Sequence, residues 1–162
     1  AGANLITIHG RTRSQGFKGI ASWESIREVK ENLEIPIIAN GDITSPENAL
    51  QCLEITKANG IMIGRGSMGR PWLIGQINHA LDGDKIFKDP SPKQKLQLFH
   101  GQIIEMTRKY GDHGILISRK YLKWYCKDFD GGNELIKKLL KIDNAKELLD
   151  LIEAQINLFK DS

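Results

Sequence analysis

The clearest pattern along the chain is an alternation of strand and helix in its first half. Asn4-Leu-Ile-Thr-Ile-His9 is short, β-branched and nearly all apolar, as a strand buried on both faces would be. A loop rich in Gly, Arg and Ser follows to about Ala21. Ser22 then caps a helix from Trp23 to about Asn32 that turns Ile26 and Val29 inward. A second strand covers Ile35 to Asn40 and ends at Gly41-Asp42. Ser45-Pro46 opens a helix to about Lys57, because proline at the first helical position loses no hydrogen bond that it needed. A third strand, Ile61 to Ile63, ends at Gly64-Arg65-Gly66, and Arg70-Pro71 opens a helix to about Leu81. Short connections between alternating elements make these strands parallel.

The second half carries helical spacing only. Ser91-Pro92 starts a helix to about Tyr110, and Gly111 and Gly114 break it. A second helix runs from about Ile115 to Asp128, and Gly131-Gly132 break the chain again. A short helix covers roughly Glu134 to Leu140. The last, from Asn144 to about Leu158, places Leu148, Leu151, Ile152, Ile156 and Leu158 on its apolar side. This predicts a small antiparallel bundle, joined to the first half by a linker from Asp82 to Pro90. The expected division is therefore residues 1–82 and residues 83–162.

Charge sharpens that division. Residues 1–82 hold eight Lys or Arg and eight Asp or Glu, whereas residues 83–162 hold 15 and 12, the whole of the net +3. Between 108 and 127 stand six basic residues and a single acidic one, Asp112. Such an imbalance points the second half toward an anionic partner. Lys120, Lys123 and Lys127 follow i, i+3, i+7 spacing and form one stripe, with Arg119 beside it and Tyr121, Trp124 and Tyr125 on a neighbouring face. Two readings fit: a solvated face over an aromatic core, or a surface that contacts nucleic-acid phosphates.

The chemistry of the first half sits where its strands end. His9-Gly10-Arg11, Asn40-Gly41-Asp42 and Gly64-Arg65-Gly66 all fall at C-terminal strand ends, where parallel α/β folds bind ligands. Glycine turns let backbone N–H groups cradle phosphate oxygens, and Arg65 would add a charge-assisted contact. In a (β/α)8 (TIM) barrel the phosphate site lies on the loops after the last two strands. Nothing after Gly66 reads as a strand, so the three strands are placed as the last three of such a barrel, and the fold class expected is α/β, the C-terminal part of a TIM barrel followed by an all-α helical bundle. The five remaining strands would precede them. The chain starts without Met and enters a strand within a few residues, which favours a piece of something longer. Left alone, its two outer strands would be open edges through which copies self-associate. His9 reads either as a core histidine or as a rim residue of this site. His79, His100 and His113 lack metal-ligand spacing, and no metal is expected. Cys52 and Cys126 are too few for a disulfide framework; Cys126 reads as a partly buried thiol and Cys52 as a helix-face residue, in a reduced, cytoplasmic setting. No apolar run nears the roughly 20 residues that a membrane helix needs.

His9-Gly-Arg-Thr-Arg13, Ile38-Ala-Asn-Gly-Asp-Ile43, Met62-Ile-Gly-Arg65 and Gly69-Arg-Pro-Trp72 closely resemble the motifs of bacterial tRNA-dihydrouridine synthases, the B type in particular, and Arg119-Lys-Tyr-Leu-Lys-Trp-Tyr125 resembles the helical domain of the same family. The resemblance runs from about residue 3 to about residue 158. It implies an FMN-containing barrel with a C-terminal helical domain that reduces the C5–C6 double bond of uridines in tRNA, with NADPH as reductant. On that likeness His9, Asn40, Gly41, Asp42, Gly64 and Arg65 would hold FMN, chiefly its phosphate end, and Arg11 and Arg13 would lie on the substrate side. Arg119, Lys120, Lys123 and Lys127 would hold tRNA. The family's proton-donating cysteine stands beside an Asn and a Pro in a loop after an earlier strand. Neither Cys52 nor Cys126 matches that setting, so no catalytic residue is expected in this chain. Another FMN barrel of the dihydroorotate-dehydrogenase kind would share the two phosphate loops but not the basic tail, and a non-catalytic tRNA-binding module is the remaining reading.

Overall fold

A computed structural model describes residues 2–16, 18–83 and 88–159. The chain divides into two compact units, residues 1–87 and residues 88–162. Of the expected linker from Asp82 to Pro90, residues 84–87 lie outside the described residues.

The first unit is a parallel sheet with helices. Strands β1 (Ile6–His9), β2 (Ile37–Asn40) and β3 (Gly60–Met62) lie in the order β1-β2-β3. Both pairings are parallel, with Ile6 opposite Ile37, His9 opposite Asn40 and Asn40 opposite Met62. Helix α1 (Trp23–Glu31) starts at Ser22, whose side chain accepts from the Ser25 N–H. Helix α2 (Pro46–Thr56) starts the same way at Ser45, which accepts from the Asn48 N–H. Helix α3 (Trp72–Leu81) begins one residue after Pro71 and has no side-chain cap. Ile26, Ile37, Ala39, Cys52, Leu73 and Ile77 form the centre of the core.

Two expectations fail here. Strand β1 is not buried on both faces: Ile6 and Ile8 pack on the core, while Thr7 and His9 are exposed. Along the sheet, the core takes alternate residues only, as period-two geometry requires when one face is covered. Val29, expected to face inward, is 37% exposed, because the nine-residue α1 buries only Ile26. Among the described residues β1 and β3 are the sheet's edges.

The second unit contains five described helices: α4 (Pro92–Tyr110), α5 (His113–Arg119), α6 (Leu122–Cys126), α7 (Gly132–Leu139) and α8 (Ala145–Leu158). A capping box starts α4, with Ser91 accepting from the Gln94 N–H and the Gln94 side chain accepting from the Ser91 N–H. Helix α4 packs against α5, α6 and α8. The Phe99 and Tyr125 rings stack at 4.8 Å in the core between α4 and α6, and the Tyr125 hydroxyl donates to Gln102 at 2.8 Å. Lys95, buried on α4, pairs with Asp128 at 2.5 Å just beyond α6.

The single helix expected over 115–128 is two helices. The Ser118 hydroxyl donates to the Ile115 carbonyl, and the Tyr121 and Trp124 N–H groups reach back three residues instead of four, to Ser118 and Tyr121. These bonds tighten the turn between α5 and α6. Gly114, expected as a breaker, lies inside α5. A Cβ there would stand 2.5 Å from the Met106 carbonyl oxygen, so its role is to let α5 approach α4. Leu158, expected on the apolar side of α8, is 74% exposed near the end of that helix.

Candidate functional site

The ends of the three strands are tied together by side chains. The parallel register sets His9, Asn40 and Met62 in one row across the sheet. His9 Nδ1 lies 2.6 Å from Asn40 Oδ1, and Asn40 Nδ2 donates to the Met62 carbonyl at 2.6 Å. Both ends of the Asn40 amide are therefore engaged by its neighbours in the row.

After Asn40 the chain turns sharply. Gly41 has φ 130° and Asp42 has φ 54°, left-handed values that favour glycine and are uncommon for aspartate. A Cβ at Gly41 would stand 2.6 Å from the Ala21 Cβ. The turn is held from the β1–α1 side: Trp23 Nε1 donates to the Gly41 carbonyl at 3.0 Å, and the Ala21 N–H donates to Asp42 Oδ2 at 2.7 Å. Arg11 Nη2 donates to both Asp42 oxygens at 2.7 Å and to the Gly19 carbonyl at 2.8 Å. The Arg11 side chain is only 4% exposed, and its Nη1 has no hydrogen-bond partner among the described residues. Burial alone would raise the pKa of Asp42. The Ala21 N–H, the hydrogen bond and charge of Arg11 and the nearby charge of Arg65 outweigh it and hold the carboxyl below its ordinary range.

The third strand end is a tight turn over Arg65–Ser67. The Ser67 hydroxyl donates to the Gly64 carbonyl at 2.9 Å, and Arg70 Nη1 donates to the Thr44 carbonyl at 3.2 Å. A Cβ at Gly66 would lie 2.2 Å from the Ile43 carbonyl oxygen, so only glycine lets this turn close on the Asn-Gly-Asp turn. Between the strand ends opens a cavity of about 650 Å³. Its lining includes His9, Arg11, Asn40, Gly41, Asp42, Gly64 and Arg65. Two arginines stand against one aspartate on this lining, a balance suited to an anionic ligand such as a phosphate.

The structure gathers seven of the residues singled out in the first half and leaves Arg13 apart, exposed in the loop after β1. Trp23 and Ala21 were not singled out, and Gly66 was given no role of its own. Gly66 was visible as the second glycine of Gly-Arg-Gly, whereas the bonds made by Trp23 and Ala21 depend on a fold that sequence spacing does not reveal.

In the second unit, Lys120, Lys123 and Lys127 are exposed, at the end of α5, within α6 and just after it. Lys120 Nζ lies 4.9 Å from the Tyr121 ring centroid, and Lys123 Nζ lies 4.7 Å from that of Trp124. Arg119 differs from its neighbours: its Nη2 donates to the Ile142 carbonyl at 3.0 Å and to Asp143 at 2.5 Å. Cys52 and Cys126 are fully buried, and desolvation pushes their thiols up to about 11 and about 12. Among the described residues no His, Cys, Asp and Glu group has a metal-binding arrangement, and no helix is long and apolar enough to cross a membrane.

A family model described as dihydrouridine synthase (Dus) matches residues 1–161. A probable tRNA-dihydrouridine synthase 1 of Synechocystis sp. is 43% identical over 160 residues, covering 99% of this chain and 45% of that protein. The tRNA-dihydrouridine synthase B of Pasteurella multocida is 42% identical over 158 residues, covering 97% of this chain and 48% of its own length. That of Proteus vulgaris is 40% identical over 159 residues, covering 98% and 49%. The chain spans about half the length of the curated relatives it matches. With a family match that runs almost from end to end, this chain belongs to the dihydrouridine synthase family.

Proposed function

We propose that this chain supplies the phosphate-binding rim and a tRNA-holding helical domain of an FMN-dependent tRNA-dihydrouridine synthase. In this reading β1, β2 and β3 are the last three strands of a TIM barrel, residues 83–162 form the helical domain, and the compartment is the cytoplasm. The observation that carries the reading is the convergence of His9, Asn40-Gly41-Asp42 and Gly64-Arg65 on one cavity at parallel strand ends. The residues present fit a flavin phosphate. Glycines allow close backbone approach, among the described residues no atom beyond its own chain neighbours lies within 4 Å of a Cβ built at Gly64, and the charged lining is net positive.

When bound, FMN would supply hydride for uracil C6, with NADPH reloading it. Arg65 and the Gly64 backbone hold the phosphate end, and His9 meets the cofactor from the rim. The Asp42 carboxylate is occupied by Arg11 and Ala21, so Asp42 shapes the turn and leaves phosphate contact to its neighbours. Arg11 is its brace. Arg13, exposed on the same loop, is the arginine of that pair free to meet tRNA. Lys120, Lys123 and Lys127 hold the tRNA backbone, while Arg119 braces the segment before α8. Neither cysteine donates the proton to uracil C5, because both thiols are buried and hold their protons tightly.

The test is to purify the protein expressed from its own gene and incubate it with NADPH and tRNA lacking dihydrouridine. Mass spectrometry of the tRNA should show a gain of two hydrogens at uridine. Bound FMN without that gain would contradict the reading.

A further inference from the structure

We infer that Asn40 is a positioning residue that fixes His9 as the Nδ1–H tautomer, leaving Nε2 as the only ring nitrogen His9 offers to a ligand in the cavity it lines. The inference follows from which atoms can donate. The Met62 carbonyl oxygen 2.6 Å from the Asn40 side chain can only accept, so the amide nitrogen faces it. The amide oxygen then faces His9 Nδ1 at 2.6 Å and also can only accept. The proton between them must sit on Nδ1. Reversing the amide would set two oxygens, the Asn40 amide oxygen and the Met62 carbonyl, against each other across the β2–β3 side. The strand register, which places His9, Asn40 and Met62 in one row, maintains this order. The His9 ring also lies against Gly41, where a Cβ would stand 3.5 Å from its Cε1 and Nδ1.

A neutral imidazole carries one N–H. With that proton committed to Asn40, a neutral His9 presents a bare lone pair at Nε2 and recognises an N–H or O–H donor. It can donate to a carbonyl or other acceptor only as the imidazolium. His9 is thus a selector between donor and acceptor edges of a ring ligand, and Asn40 sets which edge it selects. This goes beyond the flavin reading and holds whichever ligand occupies the cavity.

The experiment is a long-range proton–nitrogen correlation spectrum of the full chain with 15N-labelled histidine, at a pH where the imidazoles are neutral. The His9 signals are identified by their loss in His9→Gln. The expected spectrum shows His9 protonated at Nδ1 with a pyridine-like Nε2. In Asn40→Ala the proton should move to Nε2, and Asn40→Asp, whose carboxylate can also accept from Nδ1, should restore the wild-type pattern. Wild-type His9 protonated at Nε2 would overturn the inference, as would a folded Asn40→Ala chain that keeps its proton on Nδ1. If Asn40→Ala does not fold, the wild-type spectrum alone decides.

Discussion

A single nitrogen of Arg11, Nη2, stands 2.7 Å from both carboxylate oxygens of Asp42, 31 residues away at the end of the adjacent strand. The same nitrogen donates to the Gly19 carbonyl, so one side chain joins the β1–α1 loop to the Asn-Gly-Asp turn. Arg11→Ala should lower stability by about 1.5–3 kcal/mol, the range for hydrogen bonds to a charged group. Arg11→Lys should recover only part of it, because an ammonium cannot match the guanidinium's several fixed donors. Urea unfolding followed by tryptophan fluorescence measures both. A loss below about 0.5 kcal/mol for Arg11→Ala would show that the loop is held without the pair.

The same pair fixes a pH dependence. The folded-state pKa of Asp42 lies below its unfolded value, so the folded state prefers the ionised carboxylate. That contribution is fully present above the unfolded value of about 4 and is lost as pH falls through the lower folded value. Asp42→Asn should therefore be less stable than the parent at neutral pH and lose less stability between about pH 6 and pH 3. Urea midpoints for the two proteins across that range should converge on acidification. Parallel curves would contradict the assignment.

Arg119 and the three lysines beside it should separate cleanly. Changing Lys120, Lys123 and Lys127 together to Ala should weaken tRNA binding and reduce the slope of log K against log salt by about two to three units. Arg119→Ala should leave that slope alone and destabilise the chain, because its guanidinium is spent on Ile142 and Asp143. Filter binding across a salt series and thermal unfolding read the two effects. An unchanged slope in the triple variant would make the lysines a solvated face.

Neither cysteine should react in the native chain. Both are fully buried, with thiols pushed up to about 11 and about 12. A thiol reagent at pH 8 should modify each only as fast as the unit around it opens, and full denaturation should make both reactive. Rapid native labelling of Cys126 would place it in a more open environment than α6 gives it.

Much of this architecture was legible because it is local. The serine caps at Ser22, Ser45 and Ser91 announce their helices within four residues, and the glycine-ended strands announce a rim. What sequence spacing did not reveal is long-range. Arg11 read as a substrate-side residue and Arg119 as one that holds tRNA, and nothing in their neighbourhoods names the partners they are found with, Asp42 and the Ile142–Asp143 segment. Asn40 was visible as a strand-end residue of the rim, but its engagement by His9 and Met62 was not, because that depends on strand register. The break between α5 and α6 escaped detection because helical spacing persists through it. Lys120 and Tyr121 keep right-handed helical dihedrals while the hydrogen bonds shorten to three residues.

The central claim is that the strand-end cavity binds the phosphate of FMN through the Gly64-Arg65 turn. Its most direct test is the FMN dissociation constant of the protein expressed from its own gene, with and without Arg65→Ala, measured by quenching of flavin fluorescence. Loss of a hydrogen bond to a charged group, about 1.5–3 kcal/mol, predicts binding weaker by roughly ten- to a hundredfold in the variant. The same dissociation constant for both proteins would contradict the claim.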